Sequence, residues 1–200
     1  MKKIILVVLF FVVWTQCSYN QNVIWLLNSD HIEINKFSID TIKRVISYTK
    51  KNGKVKFIPF DHIYSITDSS GMEKIYYHKH PQDSTSLSVE DMYWYLKGSD
   101  DAYNNYKNPA FYVGGFVTGA LSGYSFVHFG VLPTVVYPVV IGLTSPSEKK
   151  IIKRNPEYAQ NQYYIKGYKE AGANKRTWSS LVGAFSGFAA GLTIILIIAL

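Results

Sequence analysis

Four places in the 200-residue chain stand out as candidates to move protons or hold metal. His78 and His80 flank Lys79, and on a strand that alternation puts both imidazoles on one face, the beginning of a metal site. No third ligand stands near them, so a solvated strand end is the better reading. His62 follows Asp61 and would act as a base only beside a nucleophile, which the sequence does not offer. Asp100-Asp101 is a carboxylate pair, but it sits in a tyrosine-rich segment and reads as structural. His128 lies in an otherwise uncharged stretch, residues 110–145, where a titratable group is a functional candidate by default. With no acidic partner in the apolar segments it reads as a structural histidine. The chain has no G-x-S-x-G, H-E-x-x-H, P-loop or dinucleotide fingerprint. No catalytic, cofactor-binding or metal residue is therefore assigned, and the protein is read as a non-enzyme without cofactor.

The net charge of +7 suggests a nucleic-acid binder until it is partitioned along the chain. Lys2 and Lys3 supply +2, residues 18–109 balance 11 basic against 11 acidic groups, and residues 145–178 carry eight basic and three acidic groups. The excess thus sits next to apolar segments, the pattern of topology charge on a membrane protein, and nucleic acid is excluded as a partner. Lys149, Lys150, Lys153, Arg154, Lys175 and Arg176 are the residues expected to meet anionic lipid.

These charges are positioned by three apolar stretches. Residues 1–17 join two lysines, an eleven-residue apolar run and Thr15-Gln16-Cys17, the layout of a secretory signal or an uncleaved signal anchor. Cys17 is the sole cysteine, so an internal disulfide is excluded. It is also a candidate for lipidation, although Gln16 stands where a lipobox carries a small residue. Residues 18–80 alternate in short runs punctuated by turns, the clearest being Asn52-Gly53, whose positive φ angles suit a two-residue hairpin. A second hairpin is expected around Ser69-Ser70-Gly71, and Pro59 should end a strand or mark an edge. Five or six strands in this length predict a small antiparallel sheet or barrel of SH3/Sm size with closed edges. Residues 81–109 form a linker and an interfacial helix capped by Ser88, with Trp94 and Tyr95 at a membrane surface.

Residues 110–144 are too long for one straight span and short for two, since about 20 residues cross the hydrocarbon. One helix kinked by Pro133 and Pro138, its tail at the far interface, is the favoured reading, and a tight two-pass hairpin is the alternative. Residues 145–178 are a basic loop and amphipathic helix carrying Tyr164 and Tyr168 at the interface. Residues 179–200 form the second transmembrane helix, anchored by Trp178. Both apolar helices place glycine at every fourth residue: Gly115, Gly119 and Gly123 in one, Gly183, Gly187 and Gly191 in the other. Such stripes let two backbones approach closely. A motif Y-[LI]-K-G-x-x-[DE]-A occurs at Tyr95–Ala102 and again at Tyr164–Ala171, an offset of 69 residues that also aligns Lys107 with Arg176 and Gly114 with Gly183.

The run VIWLLNSDHIEI, IKRVISY, VKFIPFDHIYSI, DAYNNYK, a glycine-rich span and YYIKGYKEAG resembles a group of exported Bacteroidetes-type membrane proteins, in which a small β domain precedes glycine-rich transmembrane segments. The likeness covers most of the chain beyond residue 17. It departs at Asn28-Ser29-Asp30, where the group usually has Gly in the second position. The resemblance implies this architecture and no activity. The resulting expectation is an α+β membrane protein: a small β domain outside the cytoplasm, two glycine-zipper helices in a bacterial inner membrane and an amphipathic helix. Its β domain would bind or scaffold an unidentified envelope protein. The alternative is a homo-oligomer through the glycine stripes, acting as a channel or membrane-remodelling assembly.

Overall fold

The computed structural model describes residues 22–50, 52–80, 83, 85–125 and 130–199. The signal-like segment, Cys17 and His128 lie outside the described residues. The chain divides into two compact units, one ending at His78 and the other beginning at Lys79.

The first unit holds two small antiparallel sheets. Strands β1 (Asn22–Leu26), β2 (His31–Ile34), β6 (Ile63–Thr67) and β7 (Glu73–Ile75) pair in the order β2-β1-β6-β7. Strands β3 (Phe37–Asp40), β4 (Val45–Thr49) and β5 (Val55–Pro59) form a meander. The isoleucines at alternating positions make the core: Ile24, Ile34, Ile46, Ile58, Ile63 and Ile66, with Tyr48. Asn52-Gly53 turns between β4 and β5, but not as the expected two-residue hairpin: of the two only Gly53 takes a positive φ, 79, the Lys50 amide donates to the Lys54 carbonyl across the turn, and the Asn52 side chain accepts from the Lys54 amide. Pro59 ends β5, an edge strand. The second hairpin closes on Gly71 at φ 86, with Asp68 accepting from the amides of Ser70 and Met72 and from the Ser70 hydroxyl. Those donors hold the Asp68 carboxyl below its ordinary range, the Ser70 hydroxyl contributing most.

The closed edges expected of a barrel are not present among the described residues. The strands do not close a barrel through their ladders: β2 and β7 are edges of one sheet, β3 and β5 of the other. Strand β4 begins only at Val45, because Asp40 accepts from the amides of Ile42 and Lys43 and holds a turn that ends in Arg44 at φ 52. Ile42 is consequently 93% exposed.

The second unit is helical: α1 (Val89–Asn105), α2 (Ala110–Tyr124), α3 (Leu132–Gly142), α4 (Glu148–Arg154), a 3-10 turn (Pro156–Tyr158) and α5 (Gln162–Ala199). Ser88 caps α1, its hydroxyl accepting from the Asp91 amide at 3.1 Å. Asn161 accepts from the amides of Tyr163 and Tyr164 at the start of α5, which then runs unbroken for 38 residues, about 57 Å. Its Gln162–Ile198 portion is the one helix among the described residues long and apolar enough to cross a membrane. The α+β class holds.

Residues 110–144 fold as two short helices, α2 of 15 and α3 of 11 residues, each shorter than the about 20 residues that cross the hydrocarbon. The end of α2 meets the start of α3, Ser122 donating to the Gly130 carbonyl at 2.6 Å, while Gly114 near the start of α2 faces the Tyr137 hydroxyl further along α3. The two helices are therefore antiparallel, and the favoured single kinked helix is set aside. The prolines do not break the run as expected. Pro133 occupies the first turn of α3, where its missing N–H costs nothing, and Pro138 is buried inside that helix. The amphipathic surface helix is also replaced. Tyr164, Tyr168 and Ala171 on the first half of α5 are buried in a cluster with Ala102, Tyr106 and Ile151.

Candidate functional site: paired helices and a basic cleft at their foot

The 69-residue repeat is a repeat of structure. Helix α5 alone covers the length of α1 and α2 together, and it packs along both in the same direction. A Cβ on Gly98 would lie 2.0 Å from the Tyr164 carbonyl oxygen, and one on Gly167 would lie 2.0 Å from that of Tyr95. Further along, Gly115, Gly119 and Gly123 face the backbone of Ser180, Ala184 and Phe188, with added Cβ atoms 2.2, 1.9 and 2.3 Å from the carbonyl oxygens. Gly183, Gly187 and Gly191 return the contact to Tyr112, Phe116 and Ala120 at 2.2, 2.0 and 2.3 Å. Any side chain there would force the helices apart.

The motif residues between these glycines also reciprocate. Tyr95 donates to the Glu170 carboxylate at 2.6 Å, and Tyr164 donates to Asp101 at 2.9 Å. In the repeat, Tyr95 corresponds to Tyr164 and Asp101 to Glu170. One hydrogen bond is thus made twice across an approximate two-fold axis. Burial first and the Glu170 carboxylate second push the Tyr95 phenol above its ordinary range. Asp101 also pairs with Lys97 at 3.3 Å. Asp101 is thereby engaged structurally, as the sequence suggested for the Asp100-Asp101 pair.

The residues expected at a membrane interface divide. Trp178 is 66% exposed, and Trp94 and Tyr95 are half-buried, Trp94 meeting Tyr93 edge to face and Tyr158 at a tilt. Tyr164 and Tyr168 lie inside the unit at 0% and 1% exposure.

The basic residues divide too. A cavity of about 80 Å³ opens between the end of α1, α4 and α5, lined among others by Tyr106, Lys107, Lys150, Arg154, Tyr168 and Arg176. An adjoining groove of about 380 Å³ shares Tyr106, Lys107 and Arg176 and adds Phe111 and Lys175. Five cations thus line this cleft of two neighbouring hollows, which share Lys107 and Arg176, and no carboxylate lines either. None of the five forms an ion pair among the described residues. The acids nearby are engaged elsewhere: Glu148 pairs with Lys169 at 2.8 Å and Glu170 accepts from Tyr95. Arg176 is held by the Tyr106 hydroxyl at 2.6 Å and stacks over the Phe111 ring at 4.8 Å. Lys175 donates to the Tyr103 carbonyl. The Tyr168 hydroxyl is buried with no hydrogen-bond partner. Lys149 and Lys153, which the sequence grouped with these, are exposed on α4 away from the cleft lining. The helical period separates 150 and 154 from 149 and 153. Lys107 was not among the expected residues, although its alignment with Arg176 in the repeat pointed to it. Among the described residues, no three His, Cys, Asp or Glu side chains are grouped to hold a metal ion.

No family model, curated protein or solved structure matches the chain, so its functional reading rests on this geometry.

Proposed function

We propose that the protein is a non-enzymatic, membrane-anchored envelope protein, whose apolar helices sit in the bilayer and whose β domain binds or scaffolds a partner outside the cytoplasm. The observation that carries this reading is the inverted patterning of α2, α3 and the second half of α5. Positions buried between them are small or compact: Gly115, Gly119, Ser122, Thr134, Pro138 and Ala184. Positions facing outward are Val117, Leu121, Val136, Val139, Leu196 and Ile197, each more than half exposed. Water would disfavour such a surface, whereas lipid favours it. The signal-like residues 1–17 support an outer location for the β domain.

The hairpin changes how the charge is read. Residues 89–109 and 145–178 both lie at the same end of the apolar helices, so the basic segment no longer needs to be cytoplasmic topology charge. The glycine faces are occupied within the chain, which favours pairing of the two halves over assembly between copies.

Carbonate extraction of membranes tests the anchor. The full-length chain is expected to stay in the pellet, and release into the alkaline supernatant would overturn the reading.

A further inference from the structure

We propose that the cleft formed by Lys107, Lys150, Arg154, Lys175 and Arg176 is a binding site for a phosphate group, carried either by a lipid head group or by a soluble ligand. Three observations converge. First, cations come from three separate elements: the segment after α1, helix α4 and helix α5. Like charges gathered without a carboxylate repel one another, and an anion placed among them removes that repulsion. Second, the Tyr168 hydroxyl, whose residue is 1% exposed, borders this cleft and lacks a partner. A buried hydroxyl left unbonded is unfavourable, and a phosphate oxygen would accept its proton. Third, Arg176 is already held by Tyr106 and Phe111, so its guanidinium is ordered before a ligand arrives. An ordered planar fork loses little freedom on binding a phosphate in two-point contact. The cavity of about 80 Å³ exceeds one water's share of liquid volume, about 30 Å³, so a group larger than water enters.

Position supports the same chemistry. Arg176 lies two residues before Trp178, and Lys107 three residues before Ala110, where the apolar helices begin. A phospholipid phosphate sits at that level of a bilayer, so the lipid source rests on the membrane reading. The free-phosphate source does not.

Binding to purified full-length protein in neutral detergent is measured with inorganic phosphate by calorimetry. A second arm uses nanodiscs of phosphatidylglycerol or of phosphatidylcholine and reads the thermal midpoint. Two double variants remove equal charge: Lys150→Gln/Arg154→Gln inside the cleft, and Lys149→Gln/Lys153→Gln outside it. All four residues are exposed, so folding should survive in both, and circular dichroism checks it. Saturable phosphate binding, or a higher midpoint in phosphatidylglycerol than in phosphatidylcholine, is expected in the native protein. Either should weaken at least tenfold, or vanish, in the cleft variant and stay within twofold in the outer one. A response to phosphate in detergent assigns a soluble phosphate ligand, and a response to phosphatidylglycerol alone assigns the head group. Equal loss in the two variants, or no saturable response in either arm, overturns the proposal. A protein that fails carbonate extraction yet binds phosphate would separate this site from the membrane reading.

Discussion

Ser29 occupies the tight turn after β1 at φ 69, in the left-handed region. Holding a non-glycine residue there costs about 1–2 kcal/mol. Glycine at that position would relieve the strain but return about 0.5–1 kcal/mol through greater freedom of the unfolded chain. Ser29→Gly should therefore stabilise the β domain by roughly 0.5–1 kcal/mol, read as a rise of a few degrees in its melting temperature. A fall would show that the seryl side chain contributes more than its backbone costs. The reciprocal tyrosines offer a second comparison. Asp101 has a side chain only 16% exposed, whereas the bond from Tyr95 to Glu170 is exposed to solvent. Tyr164→Phe leaves the more buried carboxylate short of a donor and should cost about 1.5–3 kcal/mol, the range for hydrogen bonds to charged groups. Tyr95→Phe should cost clearly less, because water replaces the lost donor at Glu170. Paired denaturation curves in detergent decide, and equal losses would contradict the burial argument.

At the scale of elements, α5 and the α1–α2 pair are two versions of one object, continuous in the second copy and interrupted before Pro109 in the first. Their approach depends on which atom faces each glycine. Gly119→Ala would place a Cβ 1.9 Å from the Ala184 carbonyl oxygen, and a backbone cannot step aside. Overpacking of this kind costs typically about 1–3 kcal/mol, and the upper half of that range is expected here. Gly114→Ala meets only the hydroxyl end of Tyr137, which can rotate away, so its melting temperature should stay close to the native value. Equal effects of the two substitutions would show that the glycines matter for reasons other than backbone approach. This packing was legible in the sequence because the Y-[LI]-K-G motif and the four-residue glycine spacing are themselves the contact residues. The return of α3 was not. Pro133 and Pro138 read as breakers, and only three-dimensional context shows one in a first turn and the other buried between helices. In the β domain the alternating isoleucines and Asn52-Gly53 revealed the core and one hairpin. The division into two sheets turns on the break at Asn35-Lys36 between β2 and β3 and on the 3-10 turn Phe60–His62 between β5 and β6, signals spread over too few residues to give a period.

For the whole molecule, the hairpin decides what the charge distribution means. One continuous helix through α2 and α3 would have set the basic segment 145–178 at the opposite end from residues 89–109. With α3 antiparallel to α2, the segment before α2 and the segment after α3 share one end of the helical unit, and the phosphate cleft is built from both. That shared end underlies both the membrane reading and the proposed site. The most direct test is single-cysteine labelling in a Cys17→Ser background, with Asn104→Cys before α2 and Gln160→Cys after α3, both at exposed positions. Intact spheroplasts are treated with a membrane-impermeant maleimide. Equal labelling of both cysteines before permeabilisation is the expected result. Labelling of one while the other reacts only after the membrane is opened would contradict the account.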